Sequence, residues 1–232
     1  MSTEQKLTNE ELHPQFILHG DILGTRTIPE LAAEPSLFSC SLEQADAMGG
    51  EITQDVLIAI RTHCGAEMRA AYAAGLHEVI DVRVQRLMPG MFPSIPGWHC
   101  DSVPRSHYFA QPDFALLNPA SCHFTCLVDT DETAIGIANT VFLNEPITFT
   151  FDNTQPVWRQ LHQQIENGPH RVWYAKPGMV VQFSSRTPHK ATACVRRGWR
   201  YFFRMSMYHN PPIVNKVPSC QQVYVLSEEN GW

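Results

Sequence analysis

Two different spacings of apolar residues divide the chain near residue 75. Between 51 and 74, apolar residues recur about every four positions, as on one face of a helix. These residues are Val56, Ile60, Cys64 and Met68. Ser41 and Thr53 are residue types that begin helices. The pattern predicts a helix over about 51–74, interrupted at Gly65 and closed by Gly75.

From residue 77 onwards, apolar and polar residues alternate in short segments that turn-forming residues separate, which is typical of strands. The candidate strands are HEVIDVRVQRL (77–87), SCHFTCLVD (121–129), IANTVFLN (137–144), ITFTF (147–151), RVWYAKPGMVVQFSS (171–185), HKATACV (189–195) and WRYFFRMSMY (199–208). A short helix is predicted within 155–168, and residues 1–40 are expected to add an edge strand or wrap the surface. Many short strands indicate a sandwich or barrel. We expect one domain, 1–232, in which 1–75 form a helical N-terminal layer.

Composition and charge exclude some functions. Hydrophobic residues make up 44% and charged residues 17% of the chain, as in an ordinary globular protein. The net charge of −6 makes nucleic acid an unlikely partner, because nucleic-acid binding uses a basic surface. The sequence has neither the apolar core of a signal peptide nor an apolar run long enough to span a membrane. The seven cysteines include no CxxC pair, which favours reduced thiols and a cytoplasmic location.

Two metal-competent side chains stand two positions apart in PGWHCDSVPR, residues 96–105. In a strand, side chains at i and i+2 point to the same face, so His99 and Asp101 could bind one ion together. His189 follows an apolar strand and a polar turn, and the long interval leaves room for strands that return beside His99. Two histidines and one carboxylate on one face form the facial triad that suits non-haem Fe(II).

The segments RLMPGMFPSIPGWHCD (86–101) and KPGMVVQFSSRTPHKA (176–191) carry a more specific resemblance. The order His-x-Asp, a long gap, a distal His and then an Arg on the next strand resembles the Fe(II)/2-oxoglutarate-dependent oxygenase superfamily. The family fold is a double-stranded β-helix, or cupin-like jelly roll, with the metal inside one mouth. The resemblance implies a jelly-roll core over 78–210, with Fe(II) and the co-substrate 2-oxoglutarate bound inside it. The metal ligands it implies are His99, Asp101 and His189.

The same family holds the distal carboxylate of 2-oxoglutarate with an arginine on the strand after the last ligand. A guanidinium can bind a carboxylate through two parallel hydrogen bonds. Arg200 and Arg204 both fit that position. Arg200 is preferred, because a short return of the chain would bring it nearest to the metal. Arg204 with Ser206 matches an Arg-x-Ser variant found in part of the superfamily, so both assignments stay open.

Further residues are expected around this site by the same resemblance. The residues expected beside the co-substrate are Gln85, His123 and Thr125. Trp98, next to the first ligand, and Arg105, in the following loop, are expected to contact substrate, although a plain core role fits Trp98 equally well. The irregular stretch 103–121 could form a lid over the site or be disordered.

The resemblance implies an enzyme that uses O₂ and 2-oxoglutarate to oxidise a small molecule or an amino-acid-like substrate, with hydroxylation as the default outcome. Two alternatives stay open. One is a non-catalytic or differently metallated cupin-type binding protein, and the other is a structural β-sandwich with incidental histidines. In the cupin-type alternative, Arg200 and Arg204 would have no reason to face the metal. The sequence identifies neither the substrate nor the oligomeric state.

Overall fold

The structure is a computed structural model that describes residues 7–21, 23–106, 111–130 and 137–208. The strands are β1 (Leu7–Leu12), β2 (Phe16–Asp21), β3 (Leu37–Cys40), β4 (His77–Leu87), β5 (Cys122–Asp129), β6 (Thr140–Leu143), β7 (Ile147–Asp152), β8 (Val172–Tyr174), β9 (Met179–Ser184), β10 (His189–Ala191) and β11 (Gly198–Tyr208). The helices are α1 (Ile28–Ala33), α2 (Leu42–Met48), α3 (Glu51–His63), α4 (Gly65–Ala73) and α5 (Val157–Glu166).

Six strands form the larger sheet in the order β2-β9-β5-β11-β4-β3, and all its neighbouring pairs are antiparallel. Strand β11 pairs with β4 on one side and with β5 on the other. Because side chains alternate along a strand, Tyr201 and Phe203 point to one face of the sheet and Arg200 and Arg204 to the other. The first pair packs in one apolar cluster with residues of α3 and α4. The arginines therefore face the interior between the sheets.

A smaller sheet of three strands has the order β10-β6-β8, and an isolated bridge between His99 and His189 extends it. Strands β1 and β7 form a separate pair. Side chains of both sheets meet in a common apolar cluster, in which Phe142 of the smaller sheet contacts Phe183 of the larger one, with ring centroids 5.1 Å apart. The two sheets are thus layers around one interior.

The chain passes repeatedly between the two sheets. It runs from β4 in the larger sheet to the His99 segment in the smaller one, and returns through β5. It then continues through β6 and β8 to β9, and through β10 to β11. Eight antiparallel segments that are divided in this way between two facing sheets form a jelly roll. The predicted fold class, mainly β with N-terminal helices around a double-stranded β-helix, is confirmed.

The N-terminal layer contains strands as well as helices: an edge strand is present within 1–40 as expected, and the helices of the expected 1–75 layer lie between residues 28 and 73. Strand β1 pairs with β7, β2 with β9 and β3 with β4. Local periodicity did not distinguish these short segments, because their partners lie far away in the sequence. The predicted interruption at Gly65 is confirmed, since α3 ends at His63 and α4 begins at Gly65.

No helix among the described residues is long and apolar enough to cross a membrane. The cysteines of the described part of the chain are free thiols: Cys40, Cys64, Cys100, Cys122, Cys126 and Cys194.

Candidate metal centre

His99, Asp101 and His189 converge between the two sheets. Nε2 of His99 lies 3.6 Å from Oδ1 of Asp101, and Nε2 of His189 lies 3.4 Å from Oδ2. One potential ligand atom from each residue lies within 4.8 Å of the others. The imidazole centroids are 4.6 Å apart. The structure therefore brings the three predicted metal ligands close enough to share one divalent ion.

A backbone bridge holds the two histidines side by side. The amide of His99 donates to the carbonyl oxygen of His189 at 3.0 Å, and the amide of His189 donates to that of His99 at 2.9 Å. The strand expected at His99 and Asp101 is limited to this bridge, because Asp101 begins a turn and Ser102 has a φ of 56°. The carboxylate of Asp101 still lies on the same side as the imidazole of His99.

Both histidines present Nε2 to the shared centre because their other ring nitrogen is engaged. Nδ1 of His99 lies 2.9 Å from the carbonyl oxygen of Gly97, and Nδ1 of His189 lies 3.0 Å from that of Thr187. A carbonyl oxygen only accepts hydrogen bonds, so each Nδ1 carries the proton and each Nε2 keeps a lone pair. Hydrogen bonds of this kind commonly orient histidines that bind metals.

Burial and nearby charges keep these groups in the protonation states that bind metals. Burial, followed by the neighbouring His189, lowers the pKa of His99 to about 4. Burial by itself would raise the pKa of Asp101, but Arg204 and the two histidines together hold it well below its usual range. Near neutral pH the centre therefore offers a neutral imidazole at His99 and an ionised carboxylate at Asp101.

Two imidazoles and one carboxylate form a donor set that fits non-haem Fe(II). Structural zinc sites usually close the coordination shell with four protein ligands. Only three candidate ligands converge here among the described residues. A metal held by these three residues would keep positions open for other ligands.

Arg204 pairs with two carboxylates. Its Nη1 donates to Oδ2 of Asp101 at 2.8 Å, and its Nη2 donates to Oδ2 of Asp81 at 2.7 Å. Asp81 lies directly opposite Arg204 on β4. Burial would lower the pKa of Arg204, but the two carboxylates raise it above its usual value. Arg204 thus holds the candidate metal ligand Asp101 in position, and both of its terminal nitrogens have acidic partners.

Arg200 faces the same interior, four residues earlier on β11. It is 3% exposed, and its Nε donates to the carbonyl oxygen of Ala138 at 3.0 Å. Its guanidinium carbon lies 5.0 Å from the ring centre of Phe202, which is its neighbour on the same face of β11. Burial lowers the pKa of Arg200 to about 9, although the nearby Asp129 opposes this shift. A buried cation with this environment can bind an anion.

One cavity contains the metal centre and both arginines. The described residues that line it are Arg83, Pro93, Ser94, His99, Asp101, Thr125, Thr140, Phe183, His189, Ala191, Arg200, Phe202 and Arg204. The sequence analysis missed Arg83, Ser94 and Thr140. A signal for Arg83 exists, because Asp81, Arg83 and Gln85 alternate with valines that face the helices. Polar positions of such a strand must face the interior.

Thr125 and Gln85, which are also predicted to lie beside the co-substrate, differ in whether they line this cavity. Thr125 lines the cavity, and its Oγ1 donates to the carbonyl oxygen of Phe203 at 2.9 Å. Gln85 is buried opposite Arg200 on β4, and its Nε2 donates to the carbonyl oxygen of Pro93 at 3.1 Å. Gln85 is not among the described lining residues of the cavity.

His123 and Ser206 form a buried network and are absent from the described lining of the cavity. Nδ1 of His123 lies 2.9 Å from Oγ of Ser206, and its Nε2 lies 2.9 Å from Oγ of Ser185. Burial lowers the pKa of His123 to about 3, so the ring is neutral at ordinary pH. The serine hydroxyls thus meet both ring nitrogens of the imidazole, and the contact with co-substrate expected of His123 and Ser206 stays a prediction.

Trp98 and Arg105 are also absent from the described lining of this cavity. Trp98 is 1% exposed and packs in the apolar cluster beside α5, where its Nε1 donates to Oε1 of Glu166 at 2.6 Å. With Glu166 and Lys190 it lines a second cavity. Arg105 is exposed and forms a backbone bridge with Pro112. Trp98 thus has the core environment that was its equal alternative, and the substrate contacts expected of Trp98 and Arg105 stay predictions.

Comparison with known proteins gives matches only among solved structures. No protein-family model matches the chain, and no curated protein sequence is significantly similar to it. An N-substituted L-amino acid dioxygenase from Burkholderia ambifaria AMMD matches with 14% identity over 78% of this chain and 76% of that one, at a TM-score of 0.38. AviO1 from Streptomyces viridochromogenes Tue57 matches with 13% identity over 89% and 94% of the two chains, at a TM-score of 0.48.

A third similar structure is SnoK, a non-heme alpha-ketoglutarate-dependent carbocyclase from nogalamycin biosynthesis. Its identity to this chain is 16%, at a TM-score of 0.44. The alignment covers 71% of this chain and 62% of SnoK, so less than two thirds of SnoK is matched. The matched structures include non-heme iron and alpha-ketoglutarate enzymes, the class that the sequence resembles. At these identities and TM-scores the alignments assign no reaction and no residue. The residues of the candidate site are therefore assigned from the geometry of this chain.

Proposed function

We propose that this chain is an Fe(II)- and 2-oxoglutarate-dependent oxygenase that oxidises a small molecule. One observation carries the proposal: the His99, Asp101 and His189 donor set opens into the same cavity as the buried Arg200. The triad would hold the metal, and the arginine would hold the distal carboxylate of the co-substrate. A metal site and a separate carboxylate site in one cavity are what a bidentate keto-acid ligand requires.

Arg200 is the better candidate for that carboxylate. Both terminal nitrogens of Arg204 already donate to Asp101 and Asp81. Among the described residues, Arg200 makes its side-chain hydrogen bond through Nε, which leaves its terminal nitrogens for a ligand. We therefore assign the co-substrate to Arg200 and give Arg204 the role of positioning Asp101.

Fe(II) and 2-oxoglutarate, when bound, supply the coupling of O₂ reduction to decarboxylation, which releases succinate and CO₂ and oxidises the substrate. The residues of this chain would contribute binding, orientation and exclusion of water. Phe183, Ala191 and Phe202 provide apolar wall around the triad, and Thr125 and Thr140 add hydroxyl groups to it. Hydroxylation of the substrate is the outcome that we propose.

The alternative is a cupin-type protein that binds a metal without turning over 2-oxoglutarate. Arg204 does not discriminate between the two functions, because its partners Asp81 and Asp101 account for its burial. Arg200 favours the oxygenase, because the cavity is where its guanidinium can meet a ligand carboxylate. A structural β-sandwich would not need the matched Nε2 tautomers of His99 and His189.

An anaerobic titration tests the proposal. The protein is loaded with Fe(II) and titrated with 2-oxoglutarate while the weak visible charge-transfer band of the chelated iron is recorded. We expect a saturable band with Fe(II), no such band with Zn(II), and succinate release in a substrate screen after O₂ is admitted. Binding of Fe(II) without any 2-oxoglutarate band would support the cupin-type protein and would overturn the oxygenase.

A further inference from the structure

The cavity wall contains a third arginine for which neither the metal nor the proposed co-substrate accounts. Arg83 lies on the inner face of β4, opposite Phe202 and between the levels of Arg200 and Arg204. Its Nη1 donates to the carbonyl oxygen of Pro93 at a long 3.4 Å. No carboxylate of the described residues lies within ion-pair distance of Arg83. The partly buried guanidinium therefore lacks an anionic partner in this part of the protein.

The other two arginines of the cavity have such partners. Arg204 pairs with Asp81 and Asp101. Arg200 has Asp129 directly opposite it on β5, and that carboxylate acts on it electrostatically. A partly buried cation without a compensating charge loses part of its hydration, so an anionic ligand that supplies the charge would be favoured beside Arg83.

The charge of the wall selects the type of ligand. Its described residues include three arginines and a single carboxylate, that of Asp101, which is a candidate metal ligand. Apart from Asp101, the described residues of this wall offer no acidic partner to an amine or another cation. An anionic group would meet Arg83, and the nearby Ser94 and Thr140 could add neutral hydrogen bonds. The wall thus favours anionic over cationic substrates.

We infer that Arg83 binds the carboxylate of the organic substrate, and that the compound oxidised is a small carboxylic acid. This inference rests on the proposed function, because it assigns 2-oxoglutarate to Arg200. The two guanidiniums have different surroundings: Arg83 lies under the Pro93 carbonyl, and Arg200 lies beside Ala138. Arg83 also acts electrostatically on Arg200, so the two guanidiniums are neighbours, and we assign a different carboxylate to each of them. A planar guanidinium matches a carboxylate through paired hydrogen bonds, so an acid should bind better than its neutral amide.

Matched acid and amide probes test this site directly. Protein loaded with Fe(II) and saturating 2-oxoglutarate, without O₂, is titrated calorimetrically with 3-phenylpropionate and 3-phenylpropionamide, and with butyrate and butyramide. We expect at least one acid to bind about 10-fold or more tightly than its amide. Arg83→Met should remove this preference and leave the 2-oxoglutarate Kd within about twofold, while Arg83→Lys should retain part of it. Arg197→Met, which removes an exposed arginine of the β10–β11 turn, is the control and should retain the preference.

The other possible results of these titrations either overturn or support a carboxylate site at Arg83. Equal binding of acid and amide by the unmodified protein, or no binding of either acid, would overturn the inference. It would also be overturned if Arg83→Met raised the 2-oxoglutarate Kd about 10-fold and left the acid preference intact, since Arg83 would then serve the co-substrate. If the unmodified protein shows no 2-oxoglutarate band, the proposed function fails separately. An acid preference that depends on Arg83 with Fe(II) alone would still support the carboxylate site.

Discussion

Arg204 donates a hydrogen bond from Nη1 to Oδ2 of Asp101 at 2.8 Å, while its Nη2 reaches Asp81 at 2.7 Å. A predicted metal ligand is therefore held by an arginine that is itself anchored on β4. This contact changes the role expected for Arg204, because a guanidinium that is bound to two carboxylates has little capacity to bind a third. It also separates the predicted effects of replacing Arg204 and Arg200.

Arg204→Met should weaken metal binding. Loss of a partner that orients a metal ligand typically costs about 10- to 100-fold in affinity, so we expect an increase of that size in the Fe(II) Kd. The Kd for 2-oxoglutarate at saturating Fe(II) should change far less. Arg204→Lys is the control, because lysine keeps a positive charge beside Asp81 but cannot bind both carboxylates at once. An unchanged Fe(II) Kd in a folded Arg204→Met protein would show that Arg204 does not position Asp101.

Arg200→Met should weaken the binding of 2-oxoglutarate and leave metal binding unchanged. A charge-assisted contact to a carboxylate is worth about 1.5–3 kcal/mol, so the 2-oxoglutarate KM should rise by roughly 10-fold or more. The Fe(II) Kd should stay near its original value, because Arg200 makes no contact with the triad among the hydrogen bonds and ion pairs of the described residues. If instead Arg204→Met alone raises the KM for 2-oxoglutarate, the Arg-x-Ser assignment is correct and the assignment to Arg200 is wrong.

Replacing any residue of the triad by alanine should remove the metal. His99, Asp101 and His189 each contribute one of three donor atoms, and two donors hold a divalent ion weakly. The measurement is iron content after anaerobic reconstitution and desalting. His63→Ala is the matched control, because His63 is exposed at the end of α3. Full iron stoichiometry in His189→Ala would remove His189 from the ligand set.

Glu166 should stabilise the metal centre from the far side of the smaller sheet. Its Oε1 accepts hydrogen bonds from Trp98 at 2.6 Å and from Lys190 at 2.9 Å, and these residues directly flank the two bridged histidines in sequence. Glu166→Gln loses the ion pair with Lys190, and we expect the Fe(II) Kd to rise by about 10-fold at unchanged secondary structure. Glu145→Gln, which removes a comparable pair with His170, should leave the Fe(II) Kd unchanged. Equal effects of both variants would mean that Glu166 acts on general stability.

Glu34 should stabilise the fold without affecting the metal. Its carboxylate accepts hydrogen bonds from the amide of Ile52 at 2.6 Å and from the hydroxyl of Thr53 at 2.8 Å, at the start of α3. Glu34→Ala removes the acceptor of the buried Ile52 amide and leaves the Thr53 hydroxyl with Tyr201, so the free energy of unfolding should fall by about 2–3 kcal/mol in urea titrations. Glu30→Ala, in the exposed capping box of α1, should cost about 1 kcal/mol or less. A similar loss in both variants would contradict the special role of burial at Glu34.

The Glu34 and Glu30 variants also test whether the helical layer affects metal binding at the His99, Asp101 and His189 centre. The larger sheet separates α3 from the cavity, because the apolar side chains of β11 pack on the helices and its arginines face inward. Both variants should therefore bind Fe(II) as the unmodified protein does. A selective loss of iron binding in Glu34→Ala would show that the helical layer positions the triad.

The sequence by itself determined most strands of the jelly-roll core, the break between two helices and the grouping of the candidate metal ligands. Alternation of apolar and polar residues identified β4, β5, β9 and β11, since a strand with one face on helices repeats every two residues. The pair His99 and Asp101 was predictable because two residues separated by one position lie on the same side of an extended chain. The break at Gly65 was likewise local.

Only the tertiary structure decided which side chains share a space. Arg200 and Arg204 have the same parity on β11, so no pattern within that strand separates them, whereas Asp81 on β4 and Asp101 beyond it engage one of them. His123 had the parity of a cavity residue, but Ser185 and Ser206 meet both of its ring nitrogens. Parity gives the face of a strand, whereas the contacts on that face depend on register and on partners that are distant in the sequence.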